Sequence, residues 1–456
     1  MKNLRPSTLL NEKFTFNILD SINGEIEITE NPFQFSINEL FTMAARINKK
    51  RSFLFVSKVL GKHIPIDANK GLLTAALLAA RFMEKVKGYV RPEKEMLISL
   101  FLKEHPSYCS HPFISKEITP IIIGFAETAT ALGHAFFDCF EVANYFHTTR
   151  EEIPGKIPEI TFEEEHSHAT AHRCYIPCEI IDNHREIILV DDEITTGKTT
   201  LNIIRSIHRK FPRKHYAVVS ILDWRSEKNK QEFKLLEKEL GITIQVVSLL
   251  AGKLHIKKQE NMKEETVLDK QNKKVDFSLE QILLTTHFTP SSLTSIIEPN
   301  QVPYIQETGR FGLSSEVNQV LHQKISSAAH LLKQKRIGKK TLCLGTGEFM
   351  YLPMKLAAEM GSGVSYQSTT RSPIYIRNYE NYGAKYGLEF PSPENQFITN
   401  YVYNIPPGLY DDCFIFFERI VDDEKLKPLL KEIGRLQLKS VKLVFFSEGV
   451  TPCTRW

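Results

Sequence analysis

Ile187-Ile188-Leu189-Val190-Asp191-Asp192-Glu193-Ile194-Thr195-Thr196-Gly197-Lys198-Thr199-Thr200 is the stretch from which the rest of the chain is read. Four apolar residues bounded by polar ones predict a buried strand, parallel and central because both of its faces are covered. Two carboxylates follow at its carboxyl end, then a Thr-rich loop with one Gly. Leu201, Ile204 and Ile207 next fall on one face of a helix running to Lys210. Ligands of open α/β sheets sit at the carboxyl ends of strands. A loop of backbone N–H groups and hydroxyls that enters a helix N-terminus is an anion cradle, usually for phosphate. Carboxylates just before such a cradle can accept hydrogen bonds from vicinal hydroxyls, so the pairing predicts a phosphorylated sugar. Gly197-Lys198-Thr199 is not a Walker A loop. That motif needs a Gly five residues earlier, where Asp192 stands, and an acid there repels phosphate.

Composition sets the frame. With 456 residues, two domains are expected, and a hydrophobic share of 42% with 25% charged residues is that of a globular protein in water. A net charge of +4 gives no warrant for nucleic-acid binding. No apolar run reaches membrane-spanning length, and the polar start Met-Lys-Asn-Leu-Arg-Pro argues against a secretory signal. Seven Cys without a Cys-x-x-Cys pair are expected to be reduced residues of a cytoplasmic protein.

The strand–loop–helix grammar recurs upstream. Ile121 to Ile123 predict a strand, Gly124-Phe125-Ala126-Glu127-Thr128-Ala129-Thr130 a turn and Ala131 to Phe140 a helix. Val142 to Phe146 predict the next strand, which ends in His147-Thr148-Thr149-Arg150. Nearer the N-terminus, Glu25 to Thr29 alternates as a half-solvated strand. The apolar strand Phe53 to Val56 is framed by Arg46, Arg51, Lys58 and His63, either as solvated strand ends or as a basic pocket. Gly71 to Lys87 reads as a helix with Leu72, Leu73, Ala76, Leu77 and Ala80 on one face. Three His and three Glu between Glu163 and His172 admit a zinc reading, weakened because structural sites pair ligands from two segments. Tyr216 to Leu222 and Gln245 to Leu250 are further strands. From Lys253 to Lys274 charges dominate, which predicts a linker or surface excursion. The expected divisions are 1–252, 253–300 and 301–456.

The C-terminal part repeats the plan. Thr341 to Leu344 predict a strand, Gly345-Thr346-Gly347-Glu348 a turn, Tyr351 to Met360 a helix, and Val364 to Gln367 a strand ending in Ser368-Thr369-Thr370-Arg371-Ser372-Pro373. Gly-x-x-Glu occurs at Gly124/Glu127 and at Gly345/Glu348, and Thr-Thr-Arg ends the following strand at Arg150 and Arg371. Both intervals span 23 positions (150 − 127 and 371 − 348). Phe414 to Arg419 stands where the Asp191-Asp192 strand stands, with Val421-Asp422-Asp423-Glu424 in place of the cradle. An internal duplication follows, whose second copy does not bind the same donor because acids there oppose a phosphate.

The Ile187–Thr200 stretch resembles the phosphoribosyl-pyrophosphate motif of type I phosphoribosyltransferases, orotate-type members included, with Glu193 in place of a usual apolar residue. The fold this implies is α/β: two phosphoribosyltransferase-like, Rossmann-like domains on mainly parallel sheets, the second degenerate. By resemblance, Asp191 and Asp192 hold the ribose hydroxyls and, through water or those hydroxyls, Mg²⁺. Ile194, Thr195, Thr196, Gly197, Lys198 and Thr199 wrap the 5-phosphate. Glu127, Thr128 and Ala129, with Thr149 and Arg150, receive pyrophosphate, and Glu127 orients a Mg²⁺-bound water. An N-terminal hood with Arg51, Lys58 and His63 covers the base, and His166 and His168 belong to a flexible lid. Thr370-Arg371-Ser372-Pro373, with Gly345 to Tyr351 upstream, resembles the TRSP domain, found C-terminal to a phosphoribosyltransferase in bacterial tellurium-resistance-associated gene clusters. Gly345, Gly347, Glu348, Thr370, Arg371 and Ser372 are then expected to bind another anionic group, or the second half to serve as a dimer-like partner. The resemblance implies a Mg²⁺-dependent transferase using phosphoribosyl pyrophosphate and a nucleobase-like acceptor, linked to a nucleoside-like metabolite, with a homodimer and other proteins of such a cluster as partners. A sensor that binds nucleotide or phosphoribosyl pyrophosphate without turnover is the rival.

Overall fold

The computed structural model describes residues 12–47, 52–163, 171–259, 276–294 and 302–448. Arg51, His166 and His168 lie outside them. Strands β1 (Lys13–Ile18) and β2 (Ile22–Glu30) pair antiparallel, with Ile22, Ile26 and Ile28 buried on one face of β2. A hairpin follows, β3 (Phe41–Ala45) against β4 (Phe53–Ser57). The short strand β5 (Ile66–Asp67) leads into α1 (Ala68–Lys87). Asp67 caps that helix by accepting the Asn69 N–H, and Gly88, at φ 70°, ends it in the left-handed conformation that favours glycine.

Next come β6 (Ile121–Gly124), α2 (Thr130–Phe137), β7 (Asn144–His147), β8 (Ile187–Ile194), α3 (Lys198–Lys210), β9 (His215–Asp223) and β10 (Thr243–Gln259). The second half contributes β11 (Ser278–Leu283), β12 (Leu313–Ser314), α4 (Ser315–Gln334), β13 (Thr341–Gly345), α5 (Tyr351–Glu359), β14 (Val364–Ser368), β15 (Asp412–Arg419), α6 (Asp423–Ile433) and β16 (Ser440–Ser447).

Two large sheets result. The first runs β1-β2-β10-β9-β8-β6-β7-β12, with β10 through β7 parallel. The second runs β11-β16-β15-β13-β14-β5, parallel except for β5. The four central strands thus follow the same order in both, β9-β8-β6-β7 and β16-β15-β13-β14. Each unit also lends an edge strand to the other: β5, just before α1, pairs antiparallel with β14, and β12, just before α4, pairs antiparallel with β7. One apolar core spans the joint, containing Phe82 and Phe136 from the first half and Tyr351 and Leu356 from the second.

The interval read as a linker is partly sheet. β10 continues through Gln259 alongside β2, and β11 is the outer strand of the second sheet. Exposed His255, Ile256 and Lys257 give the outer end of β10 a loop-like composition, since an edge segment needs no apolar partner there. Val421-Asp422-Asp423-Glu424 also has a local explanation: Asp422 accepts the Glu424 N–H and caps α6.

The joint carries a buried polar network. The His134 ring stacks on Tyr351 with centroids 3.6 Å apart, and its Nε2 is 2.8 Å from Asn318 Oδ1. Buried Asp138 accepts from the Tyr351 hydroxyl and, at 2.5 Å, from Asn318 Nδ2. Burial alone would oppose the carboxylate charge, and His322, whose Nε2 lies 3.4 Å from Asp138, is foremost in holding it.

A second buried network fills the space beside β15. Arg310 donates to Glu418 at 2.7 and 2.9 Å and lies 3.5 Å from both Glu151 and Glu348. Arg419 donates to Glu151 at 3.1 Å, and both guanidinium groups sit over the Tyr304 ring, at 4.7 and 4.1 Å. Arg310 and Arg419 are 1% and 2% exposed, and removing Arg310 leaves the buried Glu418 without its ion-pair partner. Arg310→Ala should therefore destabilise the chain by about 3–5 kcal/mol, read as a lowered midpoint in denaturant unfolding, whereas a surface change such as Lys427→Ala should leave the midpoint within experimental error.

Candidate active site

The sheet register opens a cavity at the carboxyl ends of β6 and β8. β6 pairs with β8 only from Ile187 to Val190 and then leaves as the loop after Gly124. β8 continues four more residues, to Ile194, beside β9, so Asp191, Asp192 and Glu193 border a gap on the side that β6 has vacated. The carboxylates are thus inside the strand rather than after it, half-buried beneath four fully buried apolar residues. The gap is a cavity of about 440 Å³, within the range of small-molecule sites.

Its phosphate-like end is the turn between β8 and α3. Ile194, Thr195, Thr196, Gly197, Thr199 and Thr200 line the cavity. Gly197 stands at φ 78°, and a Cβ on it would come within 2.5 Å of the Phe233 ring, so both backbone and space call for glycine. α3 starts at Lys198, three residues earlier than Leu201, which brings the helix N-terminus to the cavity. Lys198 itself is exposed and does not line it.

The opposite wall is the loop after β6. Phe125, Ala126, Glu127 and Thr128 line the cavity, and the Ala126–Glu127 peptide is cis. The Ala126 N–H donates to Thr148 Oγ1 at 2.9 Å, and that hydroxyl is 2.9 Å from His172 Nδ1, whose ring stacks on Phe162. Glu127 is 5% exposed, yet three cations converge on it. Lys62 donates to Oε1, Arg371 Nε lies 3.2 Å from Oε2, and Arg150 Nη1 lies 3.8 Å from Oε2. Burial alone would raise the Glu127 pKa, but these cations hold it below the ordinary value. Burial lowers the Lys62 pKa, and Glu127 opposes that shift.

A hood closes the third side. Leu54 and Phe55 of β4, with Arg46 and His63, line the cavity, and Phe55 stacks on Trp224 with centroids 4.9 Å apart. Burial first, and then the charges of Lys62 and Arg46, push the His63 pKa down to about 3 and keep the ring neutral at physiological pH. Lys58 turns away and donates to the Asn38 carbonyl at 2.9 Å.

Ala129 and Thr149 lie beneath the lining rather than in it, and Thr149 Oγ1 donates to Glu348 at 2.6 Å. Gly345 and Gly347 do not reach the cavity either. Beside Glu348 the described residues leave a hollow of about 10 Å³, which neither Gly345 nor Gly347 lines. The space beside β15 is filled, and the Glu348 carboxylate is used on Thr149, the Arg150 N–H (2.8 Å) and Arg310. Thr370, Arg371 and Ser372 line the first unit's cavity instead. Lys62 was not singled out from the sequence, and Phe55, Phe125 and His172 were read only as members of a strand, a turn and a zinc-candidate run. Lys62 had one local signal, adjacency to His63 in a basic run, but its partner is 65 positions away. Among the described residues no cluster of three or more His, Cys, Asp or Glu could hold a metal, and no helix is long and apolar enough to cross a membrane.

The His63 environment makes a pH test. Between its folded value of about 3 and the ordinary 6.5, the unfolded chain binds a proton that the folded chain does not. His63 therefore costs stability progressively as pH falls below about 6.5. His63→Gln should lose less melting temperature than the parent between pH 7 and pH 5, measured by calorimetry at matched ionic strength.

Comparison with known proteins agrees with this layout. Residues 40–253 match the family described as Phosphoribosyl transferase (PRTase_2), and residues 307–433 match the TRSP domain C terminus to PRTase_2. A search of curated proteins finds no match. Among solved structures, adenine phosphoribosyl transferase from Trypanosoma brucei is 13% identical, with a TM-score of 0.30 over 48% of this chain and 79% of its own. The Saccharomyces cerevisiae adenine phosphoribosyltransferase is 14% identical, with 0.27 over 47% and 96%. The Mycobacterium tuberculosis orotate phosphoribosyltransferase is 11% identical, with 0.24 over 47% and 91%. With both spans matched in the order in which that pair of domains is defined, the chain belongs to the phosphoribosyl transferases of the PRTase_2 family that carry a C-terminal TRSP domain.

Proposed function

We propose that this protein transfers ribose 5-phosphate from phosphoribosyl pyrophosphate to a nucleobase-like acceptor, with Mg²⁺. The observation that carries the reading is contiguity: the Asp191–Asp192 pair, the Thr195–Thr200 turn and the Glu127–Thr128 loop with Arg150 border one cavity. Each has a matching part of the donor. The carboxylates accept from the ribose 2- and 3-hydroxyls, the turn takes the 5-phosphate, and the loop with Arg150 takes the diphosphate. The acceptor then lies beneath the hood, against Leu54 and Phe55, with neutral His63 as a hydrogen-bond partner rather than a cation.

Donor chemistry fits the metal as well. Mg²⁺ prefers oxygen ligands and commonly takes one or two carboxylates with substrate oxygens and water, which suits two adjacent Asp better than a site made of protein alone. When bound, it would neutralise charge on the diphosphate. The chain's own contribution is positioning and electrostatics. As the bond from C1 to the diphosphate oxygen breaks, the electron pair leaves with pyrophosphate and positive charge grows at C1, while the acceptor nitrogen forms the new bond. Arg150 stabilises the charge that departs, and the turn and the carboxylates hold C1 in line between acceptor and leaving group.

Two experiments test this. Asp191→Asn combined with Asp192→Asn should lower phosphoribosyl pyrophosphate affinity at least tenfold in calorimetry, with the circular-dichroism spectrum unchanged. Unchanged affinity in the folded double variant would refute the assignment. Pyrophosphate release against a panel of bases separates a transferase from a sensor, because a sensor binds the donor and releases nothing.

A further inference from the structure

The first unit does not build its cavity alone. Arg371 stands at the strand-end turn after β14, in the second unit, and reaches across to Glu127 of the first. Its backbone is fixed on both sides. Thr370 exchanges N–H···O bonds with Tyr401 at 2.9 and 2.7 Å, the Ser372 N–H donates to Thr370 Oγ1 at 3.2 Å, and the Tyr403 hydroxyl donates to the Ser372 carbonyl at 2.9 Å. The segment that follows also holds the hood. The Ile47 N–H donates to the Pro373 carbonyl, the Tyr375 N–H to the Ala45 carbonyl, and the Gly383 N–H to the Met43 carbonyl, at 3.1, 3.0 and 2.9 Å. In the other direction, Glu348 accepts the Arg150 N–H and so sets the turn that carries Arg150.

Charge then points to a ligand. Among the described residues, Lys62 and Arg371 both have Glu127 as their only carboxylate partner. Lys62 is 3% exposed at its side chain and cannot be neutralised by bulk water. With Arg150 also 3.8 Å from Glu127, one carboxylate is shared by three cations, which leaves positive charge on this wall for an anion in the cavity. That anion must lie beside the Glu127 loop, between a wall from each unit.

We infer that Arg371 of the second unit binds the diphosphate of the donor, opposite Lys62, so that the C-terminal domain is an integral wall of the first unit's active site rather than a separate binding module. This rests on the transferase reading above. The guanidinium can hold Glu127 when the cavity lacks a ligand and turn to phosphate oxygens when one enters, since its Nε contact leaves both terminal nitrogens available for a bidentate pair. Glu348 is in this scheme a positioning residue, acting through the Arg150 backbone.

The test uses the full chain, with inorganic pyrophosphate plus Mg²⁺ and, separately, ribose 5-phosphate as calorimetric probes. Arg371→Ala should weaken pyrophosphate binding about 10- to 100-fold, the effect of losing a hydrogen bond between charged groups, and leave ribose 5-phosphate affinity within twofold. Arg371→Lys should recover part of the loss, because the charge returns without the bidentate fork. If Arg371→Ala does not fold, Arg371→Met keeps the aliphatic stem and serves in its place. Unchanged pyrophosphate affinity in a folded neutral variant overturns the inference while leaving the transferase reading intact. A wild-type chain that binds neither probe overturns both.

Discussion

A buried carboxylate must find donors and cations, and in this molecule each unit draws part of its set from the other. Glu127 of the first unit holds Arg371 of the second, and Glu348 of the second holds the Arg150 turn of the first together with Arg310. Burial at 5% exposure opposes the charge on Glu127, and the cations around it, Lys62 and Arg371 foremost, hold it ionised. The demand fixes more than two side chains. It sets the distance between the two strand-end turns, and with it the position of the hood hairpin, which hydrogen-bonds to the segment after Arg371. The exchanged edge strands β5 and β12 serve the same joint from the backbone side, by covering sheet edges that would otherwise carry unpaired N–H and C=O groups.

On this shared scaffold the two halves part ways by what occupies the end of the central strand. In the first, β8 ends in half-buried acids beside a Thr/Gly turn, and a cavity of about 440 Å³ remains. In the second, β15 ends in Glu418-Arg419, and Arg310, Tyr304 and Glu151 close over it. Glu394 shows how dry that region is, for burial lifts its pKa to about 7. Side chains of the chain itself thus occupy the position that stays open as a cavity in the first unit. Two similar sheets give one open site.

Much of this was legible in sequence, and what was not has a common cause. β8, its acids, the Gly197 turn and α3 are consecutive residues whose period and polarity change in ways that local physics fixes. The strand–turn–helix units around Gly124 and Gly345 were legible for the same reason, as was the matched spacing to Arg150 and Arg371. Lys62 was not, because its importance comes from Glu127, 65 positions on, and from burial. The destination of Arg371 was missed likewise: a strand-end Thr-Thr-Arg predicts an anion nearby but not which unit's cavity it faces. The charged interval after Gly252 misled in the opposite way, since an exposed edge strand and a linker share a composition.

The exchange of walls between the units also sets an order in time. Synthesis proceeds from the N-terminus, so Asp191 and the Gly197 turn leave the ribosome long before Arg371 and the segment that holds the hood. The second sheet waits longer still, because β16, which lies between β11 and β15, is completed only at Ser447. A nascent chain with the first unit complete therefore carries the donor motif beside an open hood and a cavity wall without its arginine. Both walls of the cavity exist only once Thr370, Arg371 and Ser372 have been added to the chain.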